Sequence, residues 1–457
     1  MIGYEFEFLV REGDIPLTKA TFLRFHKELK KRGWKQKFDS DTNDLAGSYK
    51  DDTSIITDNG ICNLELNMPP TETVIESHKK IILLLKELQG IYKTLGASIV
   101  GVGVFPGPAD FDHAHCKEYC TASRICAKGA MRYCVTQRRS EHHLTHLFSG
   151  QHTWLDLLPH DVPKQLAIFN RLNPFLVALF ANGPIFNEQP LSMLEGRDEL
   201  WMRELRTSTI PYDLTVYGMY QEEYKDIFEY FDFILDMPFS FSNRNGKSFK
   251  LADASLTFRD FLYSKEVEAL YGHGGTLIVT PTLEDFLQLS HATFPHTRLK
   301  YFLQDGISLD DILTALKSRD EDMFLGCFRK LCIEVRTASA QPEQETSTAP
   351  ALLLGLQSNL EETERYVSQF SYKFLKKLYS VAERNGLKAK IEGRYIADGC
   401  ATLMHIAEKG LEQRGFGEER YLIPLRERVA KRENPAQELL KIWHRNGLAG
   451  IWNARDF

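Results

Sequence analysis

Residues 2–10 read IGYEFEFLV, and this stretch alternates aromatic and acidic side chains with a period of two. The period predicts a β-strand whose aromatic side chains face the core. Glu5 and Glu7 then stand side by side on the opposite face, about 7 Å apart along the backbone. Two neighbouring carboxylates repel each other unless a cation or water neutralises them. A divalent metal shared with nucleotide phosphates is the usual functional explanation, and a solvated strand face is the alternative for this motif alone.

Two further segments repeat this pattern of polar residues at a spacing of two. Asn63, Glu65 and Asn67 alternate along a second predicted strand, and Glu334 and Arg336 along a third. A sheet face lined with these side chains would be a poor core and a good site for nucleotide and metal. Arginine adds a planar fork that matches phosphate and carboxylate oxygens.

The rest of the chain mixes helical and strand patterns, which predicts an α+β enzyme. Helices are predicted at residues 18–33, 72–95 and 163–182, with a helix or a strand–helix junction at 221–236. Strands are predicted at residues 97–105, 299–303 and 331–335, and a hairpin at 54–67. A helical stretch is expected at 308–330, a polar loop at 339–350, and a helical pattern from residue 351 to the end.

Composition narrows the classes of partner. The 457 residues carry a formal charge of −6 with both signs interspersed, which disfavours a nucleic-acid surface. The apolar runs are too short to span a bilayer, so no membrane association is expected. Met1 is followed at once by the acidic strand rather than a secretion signal, and the eight cysteines are therefore expected to be reduced thiols in the cytoplasm. The oligomeric state is left open.

An ordered set of motifs resembles the glutamate–cysteine ligase family of the plant type. That family includes the bacterial enzyme that makes γ-glutamylcysteine for ergothioneine and related carboxylate–amine ligases. The matching segments are GYEFEF (3–8), SIITDNGICNLELNMPP (54–70), GVGVFPG (101–107), MRY (131–133), HTWLD (152–156), ALFANGP (178–184), GRDELW (196–201), FEYFDFILDMPFSF (228–241), TFRDFL (257–262), PTLEDFLQLSHATFPHTRLKYF (281–302), EVRTASAQP (334–342) and ALLLGL (351–356). ALFANGP is the most specific of them, and the order of the whole set is what carries the resemblance.

The resemblance implies a glutamine-synthetase-like fold, a curved antiparallel sheet flanked by helices, which binds ATP and Mg²⁺ or Mn²⁺. It implies an ATP-dependent ligase that phosphorylates the side-chain carboxylate of glutamate, after which an amine such as cysteine attacks. Residues 1–360 would form the catalytic domain, with a helical insertion at about 308–330. Residues 361–457 would form a C-terminal helical region packed on it.

The resemblance also implies roles for individual residues. The implied metal ligands are Glu5, Glu7 and Glu65. The implied catalytic arginines are Arg336 and Arg298, the nucleotide contacts are Glu334, Arg197 and His152, and the substrate contacts are Arg132 and Tyr133. For Arg197 and Arg298 the alternative is a surface or helix-capping arginine, and for His152 it is a hydrogen-bonded core histidine.

Some segments depart from the family pattern. Asp58 replaces a longer acid, and Trp154 replaces a polar side chain, so Trp154 is expected to reshape a pocket. After Arg298 the expected Glu-x-Arg motif is delayed by about thirty residues, which favours an inserted helix; Gln304 and Asp305 are the alternative location. Three other functions stay open: an inactive relative that binds or regulates, a kinase of carboxylates, and a ligase for a different amino acid or amine.

Overall fold

An antiparallel sheet, which has ten strands among the described residues, organises this computed structural model. The structure describes residues 1–38, 43–57, 60–109, 144–157, 161–206, 217–220, 223–239, 242–244, 247–253, 255–271, 275–291 and 294–457. The strands are β1 Ile2–Glu12, β2 Ile15–Pro16, β3 Lys35–Phe38, β4 Leu45–Lys50, β5 Thr53–Thr57, β6 Asn63–Thr71, β7 Ala97–Val100, β8 Gly150–Asp156, β9 Ile185–Phe186, β10 Gln189–Pro190, β11 Tyr217–Gly218, β12 Ser242–Arg244, β13 Lys247–Leu251, β14 Val267–Tyr271, β15 Gly275–Val279, β16 Phe294–Pro295, β17 Thr297–Leu303, β18 Phe328–Ser339, β19 Lys390–Ile391 and β20 Arg394–Tyr395.

The order of strands places the N-terminal strand at the centre of the large sheet. The order is β17-β18-β8-β1-β6-β5-β4-β3, and β2 and β7 also pair with β1. Strand β1 is therefore hydrogen-bonded to β6 on one side and to β8 on the other, both antiparallel. A second antiparallel sheet has the order β12-β13-β14-β15. The predicted α+β class, with a large antiparallel sheet flanked by helices, is confirmed.

The helices pack against the sheets and against one another. They are α1 Lys19–Lys31, α2 Val74–Thr94, α3 Val162–Phe180, α4 Gly196–Arg206, α5 Ile227–Leu235, α6 Phe258–Leu262, α7 Leu283–Leu287, α8 Leu309–Ser318, α9 Glu321–Gly326, α10 Thr348–Ser358, α11 Leu360–Val367, α12 Tyr372–Asn385, α13 Ile396–Arg414, α14 Ile423–Lys431 and α15 Pro435–Arg455. Tyr4, Phe6 and Phe8 are buried beneath them, with neighbouring ring centroids 5.7 and 6.4 Å apart. The aromatic side of the predicted alternation is thus the core, as expected.

Helix α3 links the core to the end of the sheet. It is buried along nearly its whole length, and it packs against β17 and β18. Directly after it, the side-chain amide of Asn182 donates to the carbonyls of Gly101 at 2.9 Å and of Ala340 at 2.6 Å. Because Asn182 is fully buried and ties two separate segments together, the ALFANGP motif has a structural role at the base of the site.

Strands β17 and β18 are neighbours although helices α8 and α9 lie between them in the chain. Helix α8 begins at the N-cap Ser308, whose hydroxyl accepts from the backbone N–H of Asp311, while the Asp311 side chain accepts from Ser308. Strand β18 then pairs antiparallel with β17, and Arg298 stands opposite Glu334. The strands predicted at 299–303 and 331–335 are confirmed, each within a longer strand.

One of the C-terminal helices packs on a helix that itself contacts the large sheet. Helix α10 contacts both the sheet, through β8 and β1, and helix α13. A Cβ at Gly355 would collide with the carbonyl of Ala407, and one at Gly410 with the carbonyl of Gly355. The helices therefore approach through these two glycines. The domain boundary near residue 360 stays a prediction.

The cysteines of the described part of the chain are all buried thiols: Cys62, Cys327, Cys332 and Cys400. Burial raises the pKa of Cys62 and of Cys332 to about 12, which suppresses the reactive thiolate. We expect these four residues to resist a thiol-specific alkylating reagent in the native protein and to react fully once the protein is unfolded without reductant. Mass spectrometry of the alkylated peptides would check this, and a disulfide involving any of the four would contradict it.

Among the residues that the structure describes, no helix is long and apolar enough to cross a bilayer.

Candidate active site

Five neighbouring strands present polar side chains on the face of the sheet that is opposite to the aromatic core. The pairing fixes this arrangement, since Glu7 stands opposite Glu65, Glu5 opposite His152, and Arg298 opposite Glu334. Residues two apart on a strand share a face. From β6 to β17 this face carries Glu65, Asn67, Glu5, Glu7, His152, Trp154, Glu334, Arg336, Arg298 and Lys300.

One half of this face is acidic. Glu5, Glu7 and His152 each offer one ligand atom, and these atoms all lie within 4.8 Å of one another. His152 Nδ1 is 2.5 Å from Glu5 Oε1, and its Nε2 is 3.7 Å from Glu7 Oε1. The second oxygen of Glu7 accepts from the backbone N–H of Gly150 at 2.6 Å. The three side chains are thus held in fixed positions around one small volume.

Glu65 completes the acidic half from the next strand. Glu65 is 8% exposed, stands opposite Glu7, and accepts from the Asn67 side-chain amide at 2.5 Å. Asn67 itself stands opposite Glu5. The three predicted metal-ligand carboxylates, Glu5, Glu7 and Glu65, therefore lie on one face of β1 and β6.

The donor set of the acidic half fits a divalent cation. Burial, together with the charge of Arg336, lowers the pKa of His152 to about 4, so that its imidazole is neutral at pH 7 and keeps a lone pair. Mg²⁺ and Mn²⁺ prefer carboxylate oxygens, and Mg²⁺ is usually held by one or two carboxylates together with substrate phosphates. Glu5 and Glu7 meet that requirement, with Glu65 beside them.

The other half of the face is cationic and is arranged around one carboxylate. Glu334 is fully buried and is paired with Arg298, with Arg336 Nη1 at 2.9 Å, and with Lys300 Nζ at 3.8 Å. Burial opposes ionisation, but the charges of Arg298, Lys300 and Arg336 outweigh it and hold the pKa of Glu334 well below its usual range. Three cations around one carboxylate leave a net positive surface beside the acidic half.

The two predicted catalytic arginines differ in exposure. The side chain of Arg298 is 5% exposed and is used up by Glu334 and by the carbonyl of Ser290, at 2.8 Å. The side chain of Arg336 is 19% exposed, and its Nη1 lies 3.3 Å from His152 Nδ1. Arg336 therefore stands at the boundary between the two halves and is the more accessible of the two arginines.

Lys300 is a residue that sequence reasoning missed. Its Nζ lies 5.3 Å from the ring centroid of Trp154, a distance typical of a cation–π contact. Burial, with the neighbouring charge of Arg298, lowers the pKa of Lys300 to about 8. The signal was available, because Arg298-x-Lys300 repeats the period of two that reveals the other strands. Trp154, expected to reshape a pocket, forms part of the floor of the cationic half.

Arg197 lies at the edge of this face and is enclosed by the protein. Its guanidinium donates to Glu195 at 3.1 Å and to the carbonyls of Arg336 and Thr337, both at 3.0 Å. The predicted substrate contacts Arg132 and Tyr133, and also Asp58, lie outside the residues that the structure describes.

An acidic cluster suited to a divalent metal, next to a row of cations on one sheet, is an arrangement suited to phosphate chemistry.

Comparison with known proteins identifies the family to which the chain belongs. The model of the family described as "Glutamate-cysteine ligase family 2(GCS2)" matches residues 1–450. This match places the chain in a family of ligases.

Individual relatives are more distant. The chain is 25% identical over 279 residues to the chloroplastic glutamate–cysteine ligase of Medicago truncatula, an alignment that covers 60% of this chain and 46% of the relative. It is 24% identical over 430 residues to the chloroplastic glutamate–cysteine ligase B of Oryza sativa subsp. japonica, covering 90% and 74%. A glutamate–cysteine ligase of Francisella tularensis, solved in complex with AMP, superposes with a TM-score of 0.49 at 12% identity, covering 99% of this chain and 86% of that one.

The chain belongs to glutamate–cysteine ligase family 2, as the motif order of the sequence predicts. It spans about half the length of the Medicago enzyme and about three quarters of the rice one.

Proposed function

We propose that this chain joins the γ-carboxylate of glutamate to the amine of cysteine or of a related compound, with ATP as the energy source. The observation that carries the proposal is the juxtaposition of an acidic cluster and a cationic cluster on one sheet face, in a chain that matches the family over residues 1–450. The proposed partners are small molecules, and the proposed location is the cytoplasm.

The reaction explains why both halves of the face are needed. A carboxylate resists attack by an amine, because its charge repels the nucleophile and its oxygen is a poor leaving group. Transfer of the terminal phosphoryl group of ATP to glutamate gives an acyl-phosphate, and the amine then displaces phosphate. Negative charge accumulates at the transferred group, so fixed cations beside it lower the barrier.

The acidic half is proposed to hold the metal and the phosphates. Glu5, Glu7 and Glu65 would bind Mg²⁺ or Mn²⁺, and the metal would neutralise phosphate charge when bound. His152 would act on this cluster by its contacts with Glu5 and Glu7. The bound cation would offset the repulsion between these carboxylates and the nucleotide phosphates. An acidic chain could therefore still bind ATP together with its metal ion.

The cationic half is proposed to stabilise the transferred phosphoryl group. Arg336 is the accessible arginine and would contact the phosphoryl oxygens directly, whereas Arg298 and Glu334 would hold the fork of Arg336 in place. Lys300 adds a further positive charge on the same face. Arg132 and Tyr133 remain proposed contacts of the glutamate or amine substrate.

The proposal is tested by measuring the ADP that the protein forms from ATP in the presence of each amine of a panel. With glutamate and Mg²⁺ present, we expect rapid ADP release only when the correct amine is added, accompanied by an equal amount of amide. The panel should include cysteine, other amino acids and simple primary amines, with D-glutamate and no-amine reactions as controls.

The other outcomes identify the alternatives. ADP release without any amide would indicate a carboxylate kinase. A protein that binds ATP but releases no ADP with any amine would indicate an inactive relative that serves as a binding protein. An amide formed only with an amine other than cysteine would keep the ligase and change its acceptor.

A further inference from the structure

We infer that Arg197 is a positioning residue, which clamps a β-bulge in strand β18 and thereby aims Arg336 at the site. This inference rests on the proposed function, since it assigns Arg336 to the reacting phosphoryl group. It gives Arg197 a role through the backbone of β18 instead of a direct contact with the nucleotide.

The bulge lies at the point where Arg336 leaves the strand. Up to Val335, which stands opposite Thr153, strands β18 and β8 pair in regular antiparallel register. The register then shifts, so that Ala338 stands opposite Gln151. Arg336 and Thr337 together therefore occupy the place opposite a single residue of β8, His152. Such a bulge interrupts the hydrogen-bonded ladder and redirects the side chain that it carries.

Arg197 supplies the hydrogen bonds that the bulge lacks. Its Nη2 donates to the carbonyls of both bulged residues, Arg336 and Thr337, at 3.0 Å each. On the other side of the strand, the backbone N–H of Arg336 donates to the carbonyl of His296 at 2.7 Å. Buried backbone carbonyls without a partner are costly, so the guanidinium stabilises the bulged conformation against the regular one.

Glu195 and Gly150 fix the position of the clamp. Glu195 is fully buried, accepts from Arg197 Nε at 3.1 Å, and accepts from the hydroxyl of Ser339 at 2.9 Å. The pair thus spans the bulge from Arg336 to Ser339. A Cβ at Gly150 would collide with Arg197 Nη1, so the absence of a side chain at residue 150 leaves room for the guanidinium.

The clamp determines where Arg336 points. In regular pairing Arg336 alone would stand opposite His152, and Thr337 would stand opposite Gln151, whereas the bulge places both residues opposite His152. A bulge bends its strand and increases the local twist, so it sets the direction in which the Arg336 side chain leaves the backbone. Without the clamp this direction would no longer be fixed, and Arg336 Nη1 would lose the fixed geometry of its contacts with Glu334, at 2.9 Å, and with His152, at 3.3 Å.

A double-mutant cycle in kcat tests the inference with the full-length protein. We expect Arg197→Ala to lower kcat by about 10²-fold, with little change in the KM for ATP, since small misplacements of a reacting group have effects of that size. In the Arg336→Ala background the same change should have almost no further effect, because the residue that Arg197 positions is already absent. Arg203→Ala, a surface change on the same helix, is the matched control and should keep normal kcat.

The outcomes separate this inference from the proposed function. If Arg336→Ala has a near-normal kcat, the proposed function of the cationic half fails. If Arg336→Ala is impaired but the effects of Arg197→Ala and Arg336→Ala multiply, or Arg197→Ala has no effect, the positioning role alone is overturned. Arg197→Lys keeps the charge next to Glu195 but cannot reach Glu195 and both carbonyls together. It should fold and remain impaired, and it replaces the alanine variant in the cycle if that variant is unstable.

Discussion

Glu5→Gln is expected to lower turnover by roughly 10³-fold or more, while the protein keeps its fold. Glutamine has nearly the same shape as glutamate but no charge. Glu5 supplies one of three possible ligand atoms, with Glu7 and His152, that lie within 4.8 Å of one another. A bound divalent metal supplies several kcal/mol of charge stabilisation, and each increment of about 1.4 kcal/mol changes a rate tenfold. Turnover should be measured over a range of Mg²⁺ and Mn²⁺ concentrations, with thermal unfolding as the test of the fold.

The control for this prediction lies on the same strand. Glu12→Gln makes the same chemical change at the far end of β1, where the carboxylate accepts from Thr18 and has no contact with the acidic half. This variant should keep normal activity and metal dependence. Full activity in excess chelator, or in the Glu5→Gln protein, would rule out the acidic half as the metal site.

The acidic half was predictable because a strand has a simple period. Glu5 and Glu7 share a face in any strand, and Glu65 has the same spacing from Asn63 and Asn67. What the sequence does not encode locally is the register between strands, which sets Glu5 opposite His152. The contact of His152 with Glu5 therefore emerged only from the structure, although His152 was a candidate.

The contacts of Arg197 could not be predicted either, because they also depend on how distant segments of the chain come together. Its partners, the carbonyls of Arg336 and Thr337, are about 140 residues away in the chain and belong to a bulge that has no local sequence signal. The family resemblance implies a nucleotide contact for Arg197, and that role stays a prediction. In the structure the guanidinium donates to Glu195 and to the two carbonyls.

Only the first part of the strand predicted at residues 97–105 forms in the structure. The residues that follow it lie too close to other segments of the backbone to pair as a strand. Strand β7 ends at Val100, and the next residues bond elsewhere: the backbone N–H of Gly101 donates to the carbonyl of Arg455 and that of Gly103 to the carbonyl of Asn182. A Cβ at Gly103 would collide with Ser339. The glycines therefore let this segment pass close to β18 without pairing as a strand.

Arg336→Ala is expected to lower kcat by on the order of 10²–10³, with a much smaller effect on the KM for ATP. The physical reason is that the guanidinium acts on charge that develops mainly during phosphoryl transfer. Arg336→Lys keeps the charge but loses the two-pronged geometry, so it should remain strongly impaired. Steady-state kinetics of both variants, with Arg203→Ala as the control, would measure this. A near-normal kcat in Arg336→Ala would move the catalytic role to another cation, with Arg298 the next to test.

An isotope experiment on the wild-type protein decides whether the acyl-phosphate route operates at all. Glutamate labelled with ¹⁸O in its side-chain carboxylate should transfer one label to the released phosphate. The oxygen that attacks the phosphorus of ATP stays bound to it when the amine displaces phosphate from the acyl carbon. Arg336 would then stabilise the group that carries the label, and slow variants should show the same labelling per turnover as the wild type. Unlabelled phosphate, formed together with a measured equivalent of amide, would exclude the acyl-phosphate and with it the role proposed for Arg336.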